Sequence, residues 1–553
     1  MDQQAVETTK LSLFLKVLEC ESGETITKRL ELLKESALLD LDNNIQCGNS
    51  LIDGEFYQNI QLNLLDEDTA YRINIFDWEA AFSTIMKRGG FDVVIGNPPY
   101  IRIQALKEWA ALEVEFYKKR YVSASKGNYD LSVVFVEKGL ELLKKDGGLG
   151  FILPHKFFNA KYGESVRNLI TKGKYLNKIV HFGDQQIFSK VSTYTCLLFL
   201  KKSQQSDLEM EKVINLMDWK INNNSQKGII DSSLVSSSEW NLILGEDAKL
   251  FTKLQQIKCT LKDVTDRIFQ GIKTSADKIY IVEEISRQDN LIQVFSKEKQ
   301  TAYWLESNLL HPLIKGGDSK RFYLSQTNKL ILFPYIVNNN GLMELISLNT
   351  FERQYPLTWN YLVDNKNYLE SRENNKMLGN NWYGYVYPKA LDVMALPKIF
   401  TPDIAIVSSF AWDKTGEIFF TGGVAGGYGI LVKYSYSWEY ILGLLNSKVL
   451  EFYLKKSSTS MRGGYYSFES RFICNLPIKI IENSQVAEKQ KHDLIVNLVQ
   501  QMLSLHEQLN QAHTPPAKKR IQQQITGTDR QINQLVYELY ELTDEEIAIV
   551  ENV

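Results

Sequence analysis

At 553 residues, with 44% hydrophobic and 23% charged side chains, the chain is too long for one ordinary core and has the make-up of a globular protein of two or three domains. No apolar run approaches the roughly 20 residues that span a bilayer, and Met1-Asp2-Gln3-Gln4 opens no secretory signal, so a cytoplasmic location and no membrane partner are expected. Five scattered cysteines without a CxxC pair and six histidines without an HExxH pattern argue for reduced thiols and no metal, while a net charge of −3 leaves a nucleic-acid partner open, since such affinity depends on a local basic face.

The first third reads as alternating helices and buried strands. Gln4 to Leu41 is predicted helical, with Leu11, Leu13, Leu15, Val17 and Leu18 crowding a wide apolar face. A short strand is expected to end near Ile45, and a helix to follow the Asp77-Trp78 turn. Phe91-Asp92-Val93-Val94-Ile95-Gly96 is a β-branched run of the kind buried inside a parallel sheet. A helix over Asn128 to Lys144, stopped by Asp146-Gly147-Gly148, leads to strands at Leu149–Leu153, Lys178–Phe182 and Tyr194–Leu200. Strand, helix, strand in this order predicts a doubly wound α/β sheet. Residues 203–255, polar and rich in Ser and Asn at their start, are expected to be a connector. Many short β-rich segments punctuated by Gly, Asn and Pro then predict a separate α+β domain over 256–482. Within it, Gly422 to Gly429 is expected to be a strand-turn with close backbone packing. Residues 484–553 form a helical hairpin around Pro515-Pro516. Its stripes are Leu494, Leu498, Met502, Leu505, Leu509 and Ile521, Ile525, Ile532, Leu535, Leu539. Packing on the preceding domain is favoured over a protein interface.

The chemistry concentrates in Asn97-Pro98-Pro99-Tyr100, at the end of an apolar strand, where open α/β sheets bind ligands. The prolines remove N–H donors and fix φ, leaving carbonyl oxygens facing outward, while Asn97 adds an amide oxygen and Tyr100 an aromatic face. Two acceptors and a ring suit an exocyclic amino group on a heterocycle. They can follow its nitrogen toward tetrahedral geometry as the lone pair leaves the ring system, and they need no nucleophilic side chain.

The run from Phe76-Asp77-Trp78 to Arg102 is distinctive beyond these four residues. So are Cys47-Gly48-Asn49-Ser50-Leu51, Asn128-Tyr129-Asp130-Leu131 with Phe135-Val136-Glu137-Lys138, Gly147 to Pro154, and Lys190-Val191-Ser192-Thr193-Tyr194. Together they resemble the type IIG-like, adenine-specific DNA methyltransferases of the Eco57I type, in which methylation and sequence recognition share one polypeptide. The resemblance implies a partial Rossmann-like catalytic domain over residues 1–202, S-adenosyl-L-methionine as methyl donor and double-stranded DNA as partner. It implies Asn97, Pro98, Pro99 and Tyr100 as the catalytic set. Asn49 would lie beside the cofactor adenine or the target amine, and Phe135 in the cofactor pocket. Tyr100 would be one ring on a flipped-out adenine, and either Tyr194 or Phe199 the other.

Downstream, Gln270 to Tyr280, His311 to Gly316, Pro397-Lys398-Ile399, Leu444 to Ser447 and Arg471-Phe472 resemble that family's target-recognition half, a TaqI-like C-terminal specificity domain. Lys273, Lys278, Lys315 and Arg321 are its candidate DNA contacts, with Lys118, Lys119 and Arg120 a further basic stretch after the catalytic motif. The family's Gly-rich cofactor loop and ribose-gripping acid would precede Asp2. The resemblance therefore implies a truncated pattern and an incomplete cofactor site, finished by an N-terminal methyltransferase or nuclease segment or subunit, and poor cofactor binding by this chain alone. The alternative expectation is a truncated DNA-binding specificity module, inactive without that partner.

Overall fold

The computed structural model describes residues 3–19, 41–58, 67–188, 193–338, 340–423, 425–481 and 486–552. The chain divides into two compact units, Met1–Leu244 and Gly245–Val553.

The first unit is built on a six-stranded mixed sheet in the order β1-β2-β4-β3-β5-β6. The strands are β1 (Phe91–Gly96), β2 (Leu143–Pro154), β3 (Leu176–His181), β4 (Thr195–Lys201), β5 (Asp207–Lys212) and β6 (Gln226–Asp231). β1 runs parallel to β2 and β3 to β5, whereas β4 is antiparallel to both of its neighbours. Leu149, Phe151 and Leu153 of β2 and Cys196, Leu198 and Leu200 of β4 face one core with Val133, Val134 and Val136 of the helix Ser132–Leu142.

Four expectations need correction. β1 lies at the sheet's edge rather than inside it, with one neighbouring strand, so Val93 and Ile95 are 57% and 82% exposed. The stretch expected as a connector contributes β5 and β6, because Leu208 and Met210 alternate inward among polar residues and find the core. The first helix spans Gln3–Leu18, with Leu11, Leu13 and Leu15 exposed; residues 20–40 of the expected helix lie outside the described residues. Residues 41–49 hold turns and an isolated bridge where a strand was expected, because Asn49 meets Ile75 at a single position.

The second unit carries a six-stranded sheet of Thr301–Glu306, Leu291–Ser296, Ile281–Gln288, Lys329–Leu332, Leu310–Ile314 and Phe419–Phe420, in that order. A four-stranded sheet of Ala411–Asp413, Lys398–Pro402, Gly427–Val432 and Thr265–Gln270 accompanies it. Of the expected strand-turn Gly422 to Gly429, the described residues pack closely at Gly422, Gly426, Gly427 and Gly429, the last two in the strand Gly427–Val432. A Cβ on Gly426 or Gly427 would collide with the carbonyl oxygens of Thr421 and Thr401, respectively. The two long helices Val486–Gln511 and Pro515–Leu539 form the hairpin within this same unit. Ile495 and Val499 press on Gly443 of the helix Trp438–Leu445. Met502 and Leu505 are buried as expected, whereas at the start of the helix the inward positions are Ile495 and Val499, one residue on from Leu494 and Leu498, and Leu494 is half exposed.

Candidate functional site

β1 delivers its chain to the loop Asn97–Tyr100 beside the carboxyl end of β2. Gly96 is dictated locally, because a Cβ there would stand 2.9 Å from the Phe151 ring across the ladder. Beyond the loop the backbone is pinned by Ile103 N–H donating to Tyr129 O (3.0 Å) and Leu131 N–H to Ile101 O (2.9 Å). Pro98 is buried while Asn97 and Pro99 are exposed, so the amide of Asn97 stands on a rigid ledge. Tyr100 turns back over the sheet and donates its hydroxyl to Ile152 O at 3.2 Å. Burial raises that phenol to about 12, and it stays protonated.

The ledge forms one wall of a cavity of about 690 Å³ that also takes in Asn49, Phe135, Trp78, Lys138 and the Arg72–Glu113 pair. Three of the groups expected to act together, Asn97-Pro98-Pro99, Asn49 and Phe135, therefore share one space. The loop carrying Asn49 is held from three sides. Trp78 Nε1 donates to Ser50 O (3.1 Å), Tyr121 Oη to Leu51 O (2.7 Å), and Asn49 N–H to Asn74 O (2.6 Å). Trp78 in turn is fixed by Asp77, whose carboxylate accepts from Glu79 N–H and Ala80 N–H at the start of its helix.

Several residues of this site carry no local sequence signal. Arg72 reaches across 41 positions to chelate the buried Glu113 at 2.5 and 3.2 Å. Burial pushes the neighbouring Tyr117 phenol up to about 12, the Asn49 amide opposing the shift by hydrogen bonding to it. At the ends of β2 and β3, His155 and His181 lie with rings 4.3 Å apart. His155 Nε2 donates to Gly183 O (3.2 Å), and His181 Nδ1 accepts from Gly183 N–H (3.0 Å). Burial holds both imidazoles below their ordinary range, and therefore neutral near pH 7. The exclusion of water is the physical signal here, and no motif announces it.

The two candidates for a second stacking ring occupy different places. Tyr194, just before β4, lies nearly parallel to His155 at 6.3 Å, at the sheet edge that carries Tyr100. Phe199 is mid-strand, packed in a satellite cluster with Val180, Phe182 and Trp219, and a Cβ on Gly150 would touch its ring. Lys190, Val191 and Ser192 lie outside the described residues.

The basic residues sort similarly. Lys118 and Lys119 are exposed at the end of the helix Ala111–Arg120, whereas Arg120 is chelated by Glu141 with both distances 3.0 Å. Arg321 is held by Asp529 at 2.6 Å, with Glu451 at 3.7 Å, so it braces the terminal hairpin. Both guanidiniums are thus engaged by carboxylates in the free chain, unlike the exposed lysines beside them. Lys273 and Lys278 are exposed on one loop, and Lys315 is half exposed. Among the described residues no cluster of His, Cys, Asp and Glu could hold a metal ion, and no helix is long and apolar enough to cross a membrane.

Residues 1–188 match the Eco57I restriction-modification methylase family model, and residues 311–478 match the TaqI-like C-terminal specificity domain. The chain is 28% identical to the type II restriction enzyme and methyltransferase RM.Eco57I of Escherichia coli, over 100% of this chain and 54% of that protein. It is 20% identical to the type II methyltransferase M.BstVI of Geobacillus stearothermophilus, over 91% of this chain and 82% of the relative. The figure for M.HincII of Haemophilus influenzae is 24%, over 84% and 87%. Among solved structures, the type IIL restriction-modification enzyme MmeI in complex with DNA superposes with a TM-score of 0.54 at 11% identity, covering 86% of this chain and 57% of that one. This chain therefore spans about half of the Escherichia coli relative's length.

Proposed function

We infer that this chain, which carries an Eco57I restriction-modification methylase segment and a TaqI-like C-terminal specificity domain, takes part in S-adenosyl-L-methionine-dependent methylation of adenine N6 at a specific duplex site, in a restriction-modification or phage-defence system. The observation that carries this reading is the shared cavity of Asn49, Phe135 and the Asn97-Pro98-Pro99 ledge. A pocket of this volume, with an aromatic face and an amide on a fixed loop, fits the nucleoside end of the cofactor. Asn49 and Phe135 would hold it there. When bound, the cofactor supplies an electrophilic methyl group.

The remaining work belongs to the chain. An adenine turned out of the duplex meets Asn97 Oδ1 and the Pro98 carbonyl, which accept its two amino N–H bonds and draw the nitrogen out of conjugation. Tyr100, its hydroxyl committed to Ile152 O, offers a ring whose orientation is set before the base arrives. Tyr194, backed by His155, is the second ring. Lys118, Lys119, Lys273, Lys278 and Lys315 are the proposed contacts to the DNA backbone.

Asn97→Ala is expected to lower methyl transfer by about 100-fold or more while leaving duplex affinity little changed, read as labelled methyl incorporation followed by nucleoside analysis. N6-methyladenine as the product supports the assignment. N4-methylcytosine would replace it with another exocyclic amine, and full activity of the variant would remove Asn97 from the chemistry.

A second reading, a specificity module that depends on a partner for catalysis, is favoured by the exposure of the cavity along β1, where the lining residue Ile95 is 82% exposed. A ligand seated there keeps one side in water. Calorimetric titration of the chain alone with S-adenosyl-L-methionine is expected to give weak binding. An affinity in the ordinary micromolar range would refute the dependence.

A further inference from the structure

A second concavity lies in the Gly245–Val553 unit, remote in sequence from the Asn97 ledge. It is a cleft of about 350 Å³ between the loop 272–278 and the segment 368–387, with Thr421 and Gly422 at its base. Its walls are brought together by backbone. Ile272 bridges to Thr421 and Lys273 to Tyr387. Gly271 and Gly422 permit the approach, since a Cβ on either would fall within 2.7 Å of the other strand's carbonyl oxygens.

The segments facing this cleft hold unusual backbone. Ser275, Glu373, Asn374 and Asn375 all take left-handed conformations (φ 55°, 49°, 59° and 65°), three of them in succession. For residues other than glycine this costs about 1 kcal/mol or more apiece and persists only where the surroundings impose it. Arg372 ties together the segments that carry these residues. Its guanidinium, 5% exposed, donates to Thr274 O (2.9 Å) on one wall, to Leu369 O (2.8 Å) on the other, and to Trp382 O (2.6 Å) and Gly384 O (2.9 Å) on the chain leading to Tyr387. Among the described residues no carboxylate pairs with it, and its charge is met by these carbonyl dipoles and by the Tyr280 ring at 5.6 Å. Ser275 Oγ adds a direct tie to Glu373 at 3.3 Å.

What this frame presents is cationic and aromatic. Lys273 and Lys278 project from the first loop, and Lys376 stands 4.9 Å from the centre of the Tyr387 ring. Tyr368 and Tyr387 line the cleft with rings 43% and 36% exposed. Of the acidic neighbours, Asp277 accepts the Thr274 hydroxyl at 2.6 Å and Glu373 accepts Ser275. We propose that this cleft is a DNA contact site, in which Lys273, Lys278 and Lys376 take phosphates of one strand and Tyr387 and Tyr368 lie against its sugars and bases. Arg372 is a positioning residue that holds the two walls at the spacing of the strand. The assignment rests on the reading of this unit as a specificity domain and names Tyr368, Arg372, Lys376 and Tyr387 as parts of it.

The test is the salt dependence of binding of the full chain to a fluorescein-labelled pool of random-sequence duplex DNA. Every phosphate that a lysine no longer neutralises lowers the slope of log affinity against log salt by about 0.9. The triple variant K273A/K278A/K376A is therefore expected to reduce that slope by between about 2 and 3. Y387A is expected to weaken binding about 10-fold with the slope unchanged, as an uncharged ring against the strand should. R372M, checked for a retained melting transition, is expected to lower the slope although its own side chain touches no phosphate. R372K, checked in the same way, should restore part of it. A wild-type slope in a folded triple variant overturns the cleft and leaves the specificity reading standing. Failure of the wild-type chain to bind the duplex at low salt overturns both.

Discussion

Lys398 and Asp413 form an ion pair at 2.6 Å with both side chains almost wholly buried. The ammonium also donates to Met394 O (2.8 Å) and Leu396 O (3.2 Å), and the carboxylate accepts from Gly416 N–H (3.0 Å) and Ile418 N–H (3.3 Å). Burial pulls the lysine below its ordinary range while the carboxylate beside it opposes the shift. Such a pair adds little over apolar packing, but breaking it leaves a charge stranded. Asp413→Ala is expected to cost about 3–5 kcal/mol, seen as a lower denaturant midpoint with unchanged m-value. The buried histidines set a pH dependence. His311, stacked on Phe419 at 4.1 Å, is pushed from the ordinary 6.5 to about 4 by burial and by Lys398. His155 and His181 are lowered too, burial again being the main cause. Between the two values the unfolded chain binds more protons than the folded one. The stability these groups allow is thus complete above about pH 6.5 and is lost as pH falls toward about 4. The melting temperature is expected to drop across that window, with a shallower fall in His311→Phe; an equal fall would exclude His311 as a contributor.

At the scale of the element, β1 and the turn after it decide what the Met1–Leu244 unit can do. Gly96→Ala would drive a methyl into Phe151 and lift the Asn97 ledge. Methyl transfer is expected to fall at least about 10-fold with the melting transition largely kept; unimpaired transfer would mean that the ledge tolerates displacement. The strand and its loop were legible in the sequence because their signals are local: a β-branched run, a glycine, then two prolines. Its edge position was not, since pairing partners are set by the whole sheet. β5 was hidden because only Leu208 and Met210 mark its inward face, in a stretch dominated by polar residues. The hairpin's two helices, and Met502 and Leu505 of its first stripe, were legible in their spacing, but the first two inward positions were not. Leu494 and Ile495 are equally apolar by type, so periodicity alone could not choose between them, and the close approach at Gly443 selects the β-branched Ile495 and Val499. Arg72 with Glu113 and His155 with His181 meet only through tertiary structure, and no spacing rule could have joined them.

Over the whole molecule, each unit has its own core. One gathers around Leu149, Phe151 and Leu198 and the other around Tyr280, Tyr361 and Tyr383. Residues 245–553 made alone are expected to fold with a single cooperative transition and to keep the salt-dependent duplex affinity while lacking all transfer chemistry. An unfolded or DNA-indifferent fragment would tie recognition to the Met1–Leu244 unit.

The frame around Arg372 bears on how freely the side chains around it can vary. Its guanidinium grips main-chain oxygens alone, and a carbonyl is the same whatever side chain its residue carries. Thr274, Leu369, Trp382 and Gly384 supply the grip through their backbones, so neighbouring positions such as Lys273, Lys376 and Tyr387 can be exchanged without loosening the mount. A contact surface fixed this way is interchangeable in content and constant in shape, so under the proposed role the strength and salt dependence of its hold on a strand can change by substitutions that leave the architecture untouched.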